Sequence, residues 1–212
     1  MKIVIVSGGK SPSFKLIKEE LKDSSFLICA DSGANSLYKY DIVPDYLMGD
    51  FDSIDEEAFK HFNNCKKCSI ERFPSQKDFP DTELVVEKAL EFKPDEIVLL
   101  GCTGTRVDHM MGSLGMLLKC LKAGVKCYIK DEFNIIQLTD KSIKLRGNRG
   151  DTFSLHAYCN RVENLSIVGA KYKLDNYLFN IGDGRCISNE FLNDEVDIIF
   201  TSGYLLVFYS RD

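Results

Sequence analysis

Residues 96–122 read EIVLLGCTGTRVDHMMGSLGMLLKCLK, and three textures follow one another in that stretch. Glu96–Leu100 is an almost unbroken apolar run, the mark of a strand covered on both faces. Gly101-Cys102-Thr103-Gly104-Thr105-Arg106 is a polar, glycine-bearing turn. Over 106–122, Val107, Met110, Met111, Leu114, Leu117, Leu118 and Leu121 recur at three- and four-residue steps. That spacing predicts an amphipathic helix whose Met/Leu stripe packs into the core. Strand, loop and helix in this order make half of a βαβ unit, and parallel sheets are built from such units.

The same alternation extends on both sides. Strand-like runs are predicted at Lys2–Val6, Phe26–Ala30, 46–48, 69–73 and 126–129, with a further run at 134–138, and helical segments such as 82–91 fall between strands. Beyond residue 140 the texture changes. Short β-rich runs at 142–145, 152–158, 165–168, 177–179, 185–188, 196–200 and 205–209 are punctuated by Gly147-Asn148-Arg149-Gly150, Gly182-Asp183-Gly184 and Ser202-Gly203. The expected fold is α/β: an N-terminal, mainly parallel Rossmann-like sheet with flanking helices over 1–140, then a C-terminal antiparallel β-sandwich domain over 141–212.

A chain of 212 residues, 44% of them hydrophobic, can bury one large core or two modest ones. Its formal charge of −5, with no Lys/Arg-dense stripe, argues against a nucleic-acid partner. No apolar stretch approaches the ~18 residues that span a bilayer, and the N-terminus reads as a strand, so a cytoplasmic protein with no membrane partner is expected. The eight cysteines show no disulfide framework. Cys65 and Cys68 are spaced as CxxC, but no second pair completes a zinc site, and the motif follows a helix where a redox pair would open one.

In open α/β sheets ligands bind beyond the carboxyl ends of the strands. The residues there are biased: Ser7-Gly8-Gly9-Lys10-Ser11, Asp31-Ser32-Gly33, Gly49-Asp50-Phe51-Asp52-Ser53, Gln76-Lys77-Asp78 with Asp81-Thr82, and the loop from Gly101 to Arg106. Crowded carboxylates repel one another and any anionic substrate unless a hard cation sits among them, so a metal–nucleotide is the natural ligand. Asp50 and Asp52, two apart on an irregular loop, suit a metal. Asp81 fits a metal ligand or a helix cap equally well. The loop from Gly101 to Arg106 opens a helix, so its N–H groups and the Arg106 fork suit phosphate. Asp108 opposes the positive helix end, and His109 is a base or a packed histidine. Gly9-Lys10-Ser11 is not a phosphate-binding P-loop, because Val4 stands where that motif needs Gly.

Together, Ala30-Asp31-Ser32-Gly33-Ala34-Asn35, Pro44-Asp45, Gly49-Asp50-Phe51-Asp52-Ser53, Gln76-Lys77-Asp78 with Asp81-Thr82-Glu83, and Gly101-Cys102-Thr103-Gly104-Thr105-Arg106-Val107-Asp108-His109 resemble the thiamine pyrophosphokinase family in order and spacing. In the second half, Gly169-Ala170-Lys171-Tyr172-Lys173-Leu174 and Gly184-Arg185-Cys186-Ile187-Ser188-Asn189-Glu190-Phe191 look like its thiamine-binding domain. The resemblance implies diphosphate transfer from ATP to the hydroxyl of thiamine, and a homodimer whose thiamine sites involve both subunits. It implies Mg²⁺ on Asp50, Asp52 and Asp81, and ATP among Asp31, Gln76, Lys77, Asp78, Thr82, Gly101, Thr103, Gly104, Arg106 and His109. Ser188 and Asn189 would lie near the thiamine pyrimidine. Some relatives stack thiamine on Trp; none exists here, leaving Tyr172, Tyr177 or Phe179 for that role. Asp81 or Asp108 would be the base if one is needed. The competing readings are another Mg²⁺-dependent kinase or diphosphotransferase, a phosphohydrolase, or a non-catalytic sensor.

Overall fold

The computed structural model describes residues 1–74 and 81–211. The chain falls into two compact units, Met1–Glu132 and Phe133–Asp212. The first contains, in chain order, β1 (Lys2–Val6), α1 (Phe14–Leu21), β2 (Phe26–Ala30), α2 (Gly33–Lys39), β3 (Tyr46–Gly49), α3 (Glu56–Asn63), β4 (Ser69–Arg72), α4 (Asp81–Glu91), β5 (Glu96–Leu100), α5 (Val107–Lys122) and β6 (Lys126–Lys130).

The six strands lie side by side in the order β4-β3-β2-β1-β5-β6, every pair parallel. β1 and β5 form the centre, and Ile3–Val6 and Ile97–Leu100 are wholly buried, as runs sandwiched by helices on both faces must be. β4 closes one edge and carries exposed Glu71 and Arg72, charges that discourage pairing with another strand. The order reverses between β1 and β5, which opens a crevice beyond their carboxyl ends. Among the helices, α1 starts where the Ser13 hydroxyl accepts from the Leu16 N–H at 3.2 Å.

The α5 stripe departs from expectation. Val107 is 67% exposed and Met111 58%, whereas Ser113, Leu114, Met116, Leu117 and Cys120 are buried. The buried face runs through Ser113, Leu114, Met116, Leu117 and Cys120, rotated from the stripe that the first turn of the helix suggested.

The second unit contains β7 (Asn134–Thr139), β8 (Ile143–Arg146), β9 (Thr152–Val168), β10 (Leu174–Phe179), β11 (Asn189–Glu190), β12 (Glu195–Ile199) and β13 (Ser202–Ser210). All its pairings are antiparallel. β9 replaces the two separate strands expected at 152–158 and 165–168. Its first half pairs with β13 and β11, its second with β10 and β12. The change of partners falls near Cys159, whose φ of 66° marks the bend. Residues 185–188, expected as a strand, form a turn in which the Ile187 N–H donates to Gly184 O, while Cys186 O accepts from Leu155 N. Side chains from both halves of β9, including Phe153, Leu155, Val162 and Ile167, share one core with Phe179, Phe191, Val196 and Val207.

Among the described residues no helix is long and apolar enough to cross a membrane. Cys65 and Cys68 are joined by a tight turn, Cys68 N–H to Cys65 O at 3.1 Å, and no described His, Cys or carboxylate completes a metal-sized cluster with them. Burial pushes the Cys68 thiol up to about 11, which keeps it protonated and unreactive at neutral pH.

Glu20 of α1 is buried and ties two strands together, accepting from Lys2 at 2.7 Å and Lys130 at 2.8 Å. Burial alone would raise its carboxyl, but the hydrogen bonds from Lys130 and Lys2 outweigh burial and hold it below the ordinary value. A depressed acid stabilises the fold above its unfolded pKa and loses that contribution as pH falls through the folded value. We expect Glu20→Gln to lower unfolding free energy by roughly 1.5–3 kcal/mol at pH 7, the range for hydrogen bonds to charged groups. Urea titrations at pH 7 and pH 3.5 check this, and the gap between variant and wild type should narrow at the lower pH.

Candidate active site

The carboxyl ends of β2 and β3 are brought together by register. Ala30 lies opposite Met48, so Asp31 and Gly49 leave the sheet side by side, and Asp31 N–H donates to Met48 O at 2.8 Å. A Cβ on Gly49 would stand 3.0 Å from the Asp31 Cβ, so only glycine lets the two loops pass this closely. Asp31 itself takes a left-handed conformation, φ 43°, which Asp tolerates better than most residues.

One oxygen from each of Asp31, Asp50 and Asp52 lies within 4.8 Å of the others. The Asp31 Oδ1 is buried and has no hydrogen-bond partner among the described residues. Burial pushes the Asp31 carboxyl up; the Ser32 backbone N–H pulls it down, and the charges of Asp81, Asp50 and Asp52 push it up again. On the next loop, Asp52 N–H donates to Asp50 Oδ1 at 3.2 Å and the Ser53 hydroxyl to Asp52 Oδ1 at 2.7 Å. A donor set made only of oxygens, with one lone-pair-bearing atom buried and unsatisfied, fits a hard divalent cation such as Mg²⁺. Asp31, read from the sequence with the nucleotide, thus joins Asp50 and Asp52. The signal was available: β2 and β3 are adjacent parallel strands, and each is followed at once by Asp or Gly-Asp.

Asp81 opens α4, near enough for its charge to be felt at Asp31. The next residue, Thr82, reaches back to the end of β1, where its hydroxyl donates to the Ser7 Oγ at 3.2 Å. Gln76, Lys77 and Asp78 lie outside the described residues.

The loops after β1 and β5 are bonded backbone to backbone. Ser7 N–H donates to Leu100 O at 2.8 Å, Gly9 N–H to Gly101 O at 2.7 Å and Lys10 N–H to Thr103 O at 2.6 Å. Gly101 has φ 67°, and a Cβ there would lie 2.2 Å from Ser7 O. The central crevice is therefore lined by main chain, with Gly104 exposed and Thr103 half-buried. Arg106 precedes α5 and grips Asp108 as a fork, Nε to Oδ1 at 3.2 Å and Nη2 to Oδ2 at 2.6 Å, both side chains exposed. The hydrogen bond from Arg106 holds the Asp108 carboxyl at about 2, so it stays ionised and weakly basic at neutral pH. His109 is exposed in the same turn.

In the second unit, Asn189 is buried and its amide is spent on the main chain. Its Oδ1 accepts from Tyr172 N–H at 3.0 Å and Glu190 N–H at 2.9 Å, and its Nδ2 donates to Tyr172 O at 2.8 Å. Tyr172 is 55% exposed, with the Lys171 ammonium 5.6 Å from its ring centroid. Ser188 is exposed, with φ 54° and its N–H bonded to Ser154 Oγ at 2.9 Å. The Tyr177 hydroxyl donates to Asp183 at 2.5 Å beneath the Arg185 guanidinium, and Phe179 is core.

Residues 17–129 match the family model described as thiamin pyrophosphokinase, catalytic domain, and residues 140–205 match thiamin pyrophosphokinase, vitamin B1 binding domain. The thiamine pyrophosphokinase of Bacillus subtilis (strain 168) is 30% identical over 213 residues, 99% of each chain. Crystal structures of thiamine pyrophosphokinase from Bacillus subtilis and of thiamin pyrophosphokinase from Geobacillus thermodenitrificans superpose with TM-scores of 0.89 and 0.86 at 29% and 27% identity. These cover all of this chain and 100% and 98% of theirs.

The unsatisfied Asp31 oxygen generates a prediction about stability. Neutralising a half-buried carboxylate that faces like charges relieves strain in the metal-free protein, and takes away a ligand if a cation sits on the cluster. Asp31→Asn should raise metal-free stability by about 0.5–2 kcal/mol, a usual gain when a functional constraint is released. Millimolar Mg²⁺ should stabilise the wild type and leave Asp31→Asn largely unaffected, and thermal unfolding with and without Mg²⁺ measures both effects.

Proposed function

The chain belongs to the thiamine pyrophosphokinase family, ATP-dependent diphosphotransferases that make thiamine diphosphate, and we propose that its rim acids and main-chain loops carry that transfer. The observation that supports this most is the Asp31, Asp50 and Asp52 cluster beside the β1–β5 crevice of a parallel sheet. We read the first unit as a Rossmann-like nucleotide domain and the second as a β-sandwich that receives thiamine.

Asp50, Asp52 and Asp81 hold Mg²⁺, joined by Asp31. When bound, the ion supplies positive charge between these carboxylates and the nucleotide phosphates. The protein's own part is positioning and charge. The N–H groups of Thr103 to Arg106 and the start of α5 receive phosphate oxygens, with Thr82 and Ser7 presenting hydroxyls nearby. Gln76, Lys77, Asp78 and His109 surround ATP in this reading. Arg106 is kept extended by Asp108 and exchanges that carboxylate for the transferring phosphates as they arrive. Asp108 parks the guanidinium until the phosphates arrive.

The thiamine hydroxyl attacks the β-phosphorus in line, an O–P bond forms, the bridge to the α-phosphate breaks, and AMP leaves. The hydroxyl proton passes to Asp81 or to solvent. Such transfers depend mainly on orientation and electrostatic stabilisation. In the second unit Ser188 meets the aminopyrimidine, and Tyr172 gives the aromatic face for the cationic ligand, held in place by Asn189. The thiamine sites draw on both subunits of a homodimer.

Incubation with MgATP and thiamine should yield thiamine diphosphate and AMP by mass. Thiamine monophosphate with ADP, or nucleotide hydrolysis without acceptor, would contradict the reading. Asp52→Asn should cut turnover by about a hundredfold or more with the fold intact. Arg106→Ala should lower kcat more than it raises KM for thiamine; a change in thiamine KM alone would move Arg106 to the acceptor site. The shared-site reading predicts that mixing Asp52→Asn subunits with a Ser188/Asn189 double-alanine variant restores activity upon subunit exchange.

A further inference from the structure

Between Asp50 and Asp52 stands Phe51, with φ 67°, a left-handed conformation that bulky side chains rarely adopt and that persists only where neighbours enforce it. That turn lets the Asp52 N–H come back to Asp50 Oδ1, so the two carboxylates share one loop geometry. The Phe51 ring packs against the core of the first unit, and two further groups meet it. Phe59 of α3 packs against it, centroids 5.1 Å apart, and the guanidinium carbon of Arg72 lies 5.2 Å from the Phe51 centroid and 5.8 Å from that of Phe59. Arg72 is the last residue of β4 and lies opposite Gly49, next to the loop itself, while Phe73 N–H donates to Gly49 O at 2.8 Å.

We propose that Arg72 is a positioning residue of the metal loop: its guanidinium, set over the Phe51 and Phe59 rings, clamps the strained turn that aims Asp50 and Asp52. The inference rests on the metal reading of those acids given above. It accounts for a cation on an edge strand whose ring contacts lie on the acid-bearing loop. The choice of cation matters, because the delocalised, weakly hydrated guanidinium reaches both rings, whereas a compact ammonium keeps its water.

The test is titration of the nucleotide-free protein with Mn²⁺, free ion read by electron paramagnetic resonance, with far-UV circular dichroism to confirm folding. Arg72→Met should weaken Mn²⁺ binding about two- to fivefold, the scale of a lost cation–π contact at an exposed site. Arg72→Lys should recover only part of it. Phe51→Gly, which occupies the left-handed region without strain, should make the Arg72→Met change nearly silent. Unchanged binding in Arg72→Met, full recovery by Lys, or an undiminished Arg72→Met effect in the Phe51→Gly background would each overturn the proposal. Asp52→Asn separates the two levels. If it abolishes Mn²⁺ binding while Arg72→Met does nothing, only the Arg72 inference falls. If Asp52→Asn also leaves binding intact, the metal reading falls and takes the inference with it.

Discussion

Like charges at the carboxyl ends of β2 and β3 repel one another, and the surrounding architecture holds them together against that repulsion. Asp31 suffers most, since one of its oxygens is buried without a described partner while the charges of Asp81, Asp50 and Asp52 bear on it. Such an arrangement costs free energy in the absence of a cation, and a fold retains it only where function requires it. Around it lies a frame: the wholly buried runs Ile3–Val6 of β1 and Ile97–Leu100 of β5, the bridge of buried Glu20 to Lys2 and Lys130, and Lys119 of α5 pairing with Glu83 of α4 at 2.7 Å.

Parallel strands make this frame useful, because every strand of the first unit delivers its carboxyl end to the same side. Glycine then decides how closely the deliveries approach: Gly49 admits Asp31 beside the Asp50 loop, and Gly101 admits the Ser7 main chain beside the phosphate loop. Acids collect at the ends of β2 and β3, while the glycine-bearing loop after β5 leads into the N-terminus of α5. In the proposed reading the first is the cation side and the second the anion side of a metal–nucleotide site.

Much of this was legible in the sequence. β1, β2 and β5 begin and end where their apolar runs do, because strands buried on both faces leave no ambiguity of pattern. The acids and glycines of the rim were visible because strand ends concentrate function. Other features depend on partners that sequence does not display. The continuity of β9 through polar Asn160 and Arg161 arises from pairing with β13 on one side of the bend and β10 and β12 on the other. The turn at 185–188 looks strand-like, yet Cys186 is drawn into the core by Leu155. Val107 and Met111 carry the helical period but stay exposed, while Ser113 and Cys120 are buried. Asn189, an apparent ligand amide, is consumed by the Tyr172 main chain, a bond between residues 17 apart in the chain.

The central claim is that Asp31, Asp50 and Asp52 form one divalent-cation site at the nucleotide rim. Anomalous diffraction from crystals grown with Mn²⁺ and a non-hydrolysable ATP analogue tests it most directly. The account predicts a manganese peak bonded to carboxylate oxygens of this cluster and to phosphate oxygens of the analogue. Phosphates bound with the manganese peak elsewhere, and these three carboxylates left unligated, would contradict it.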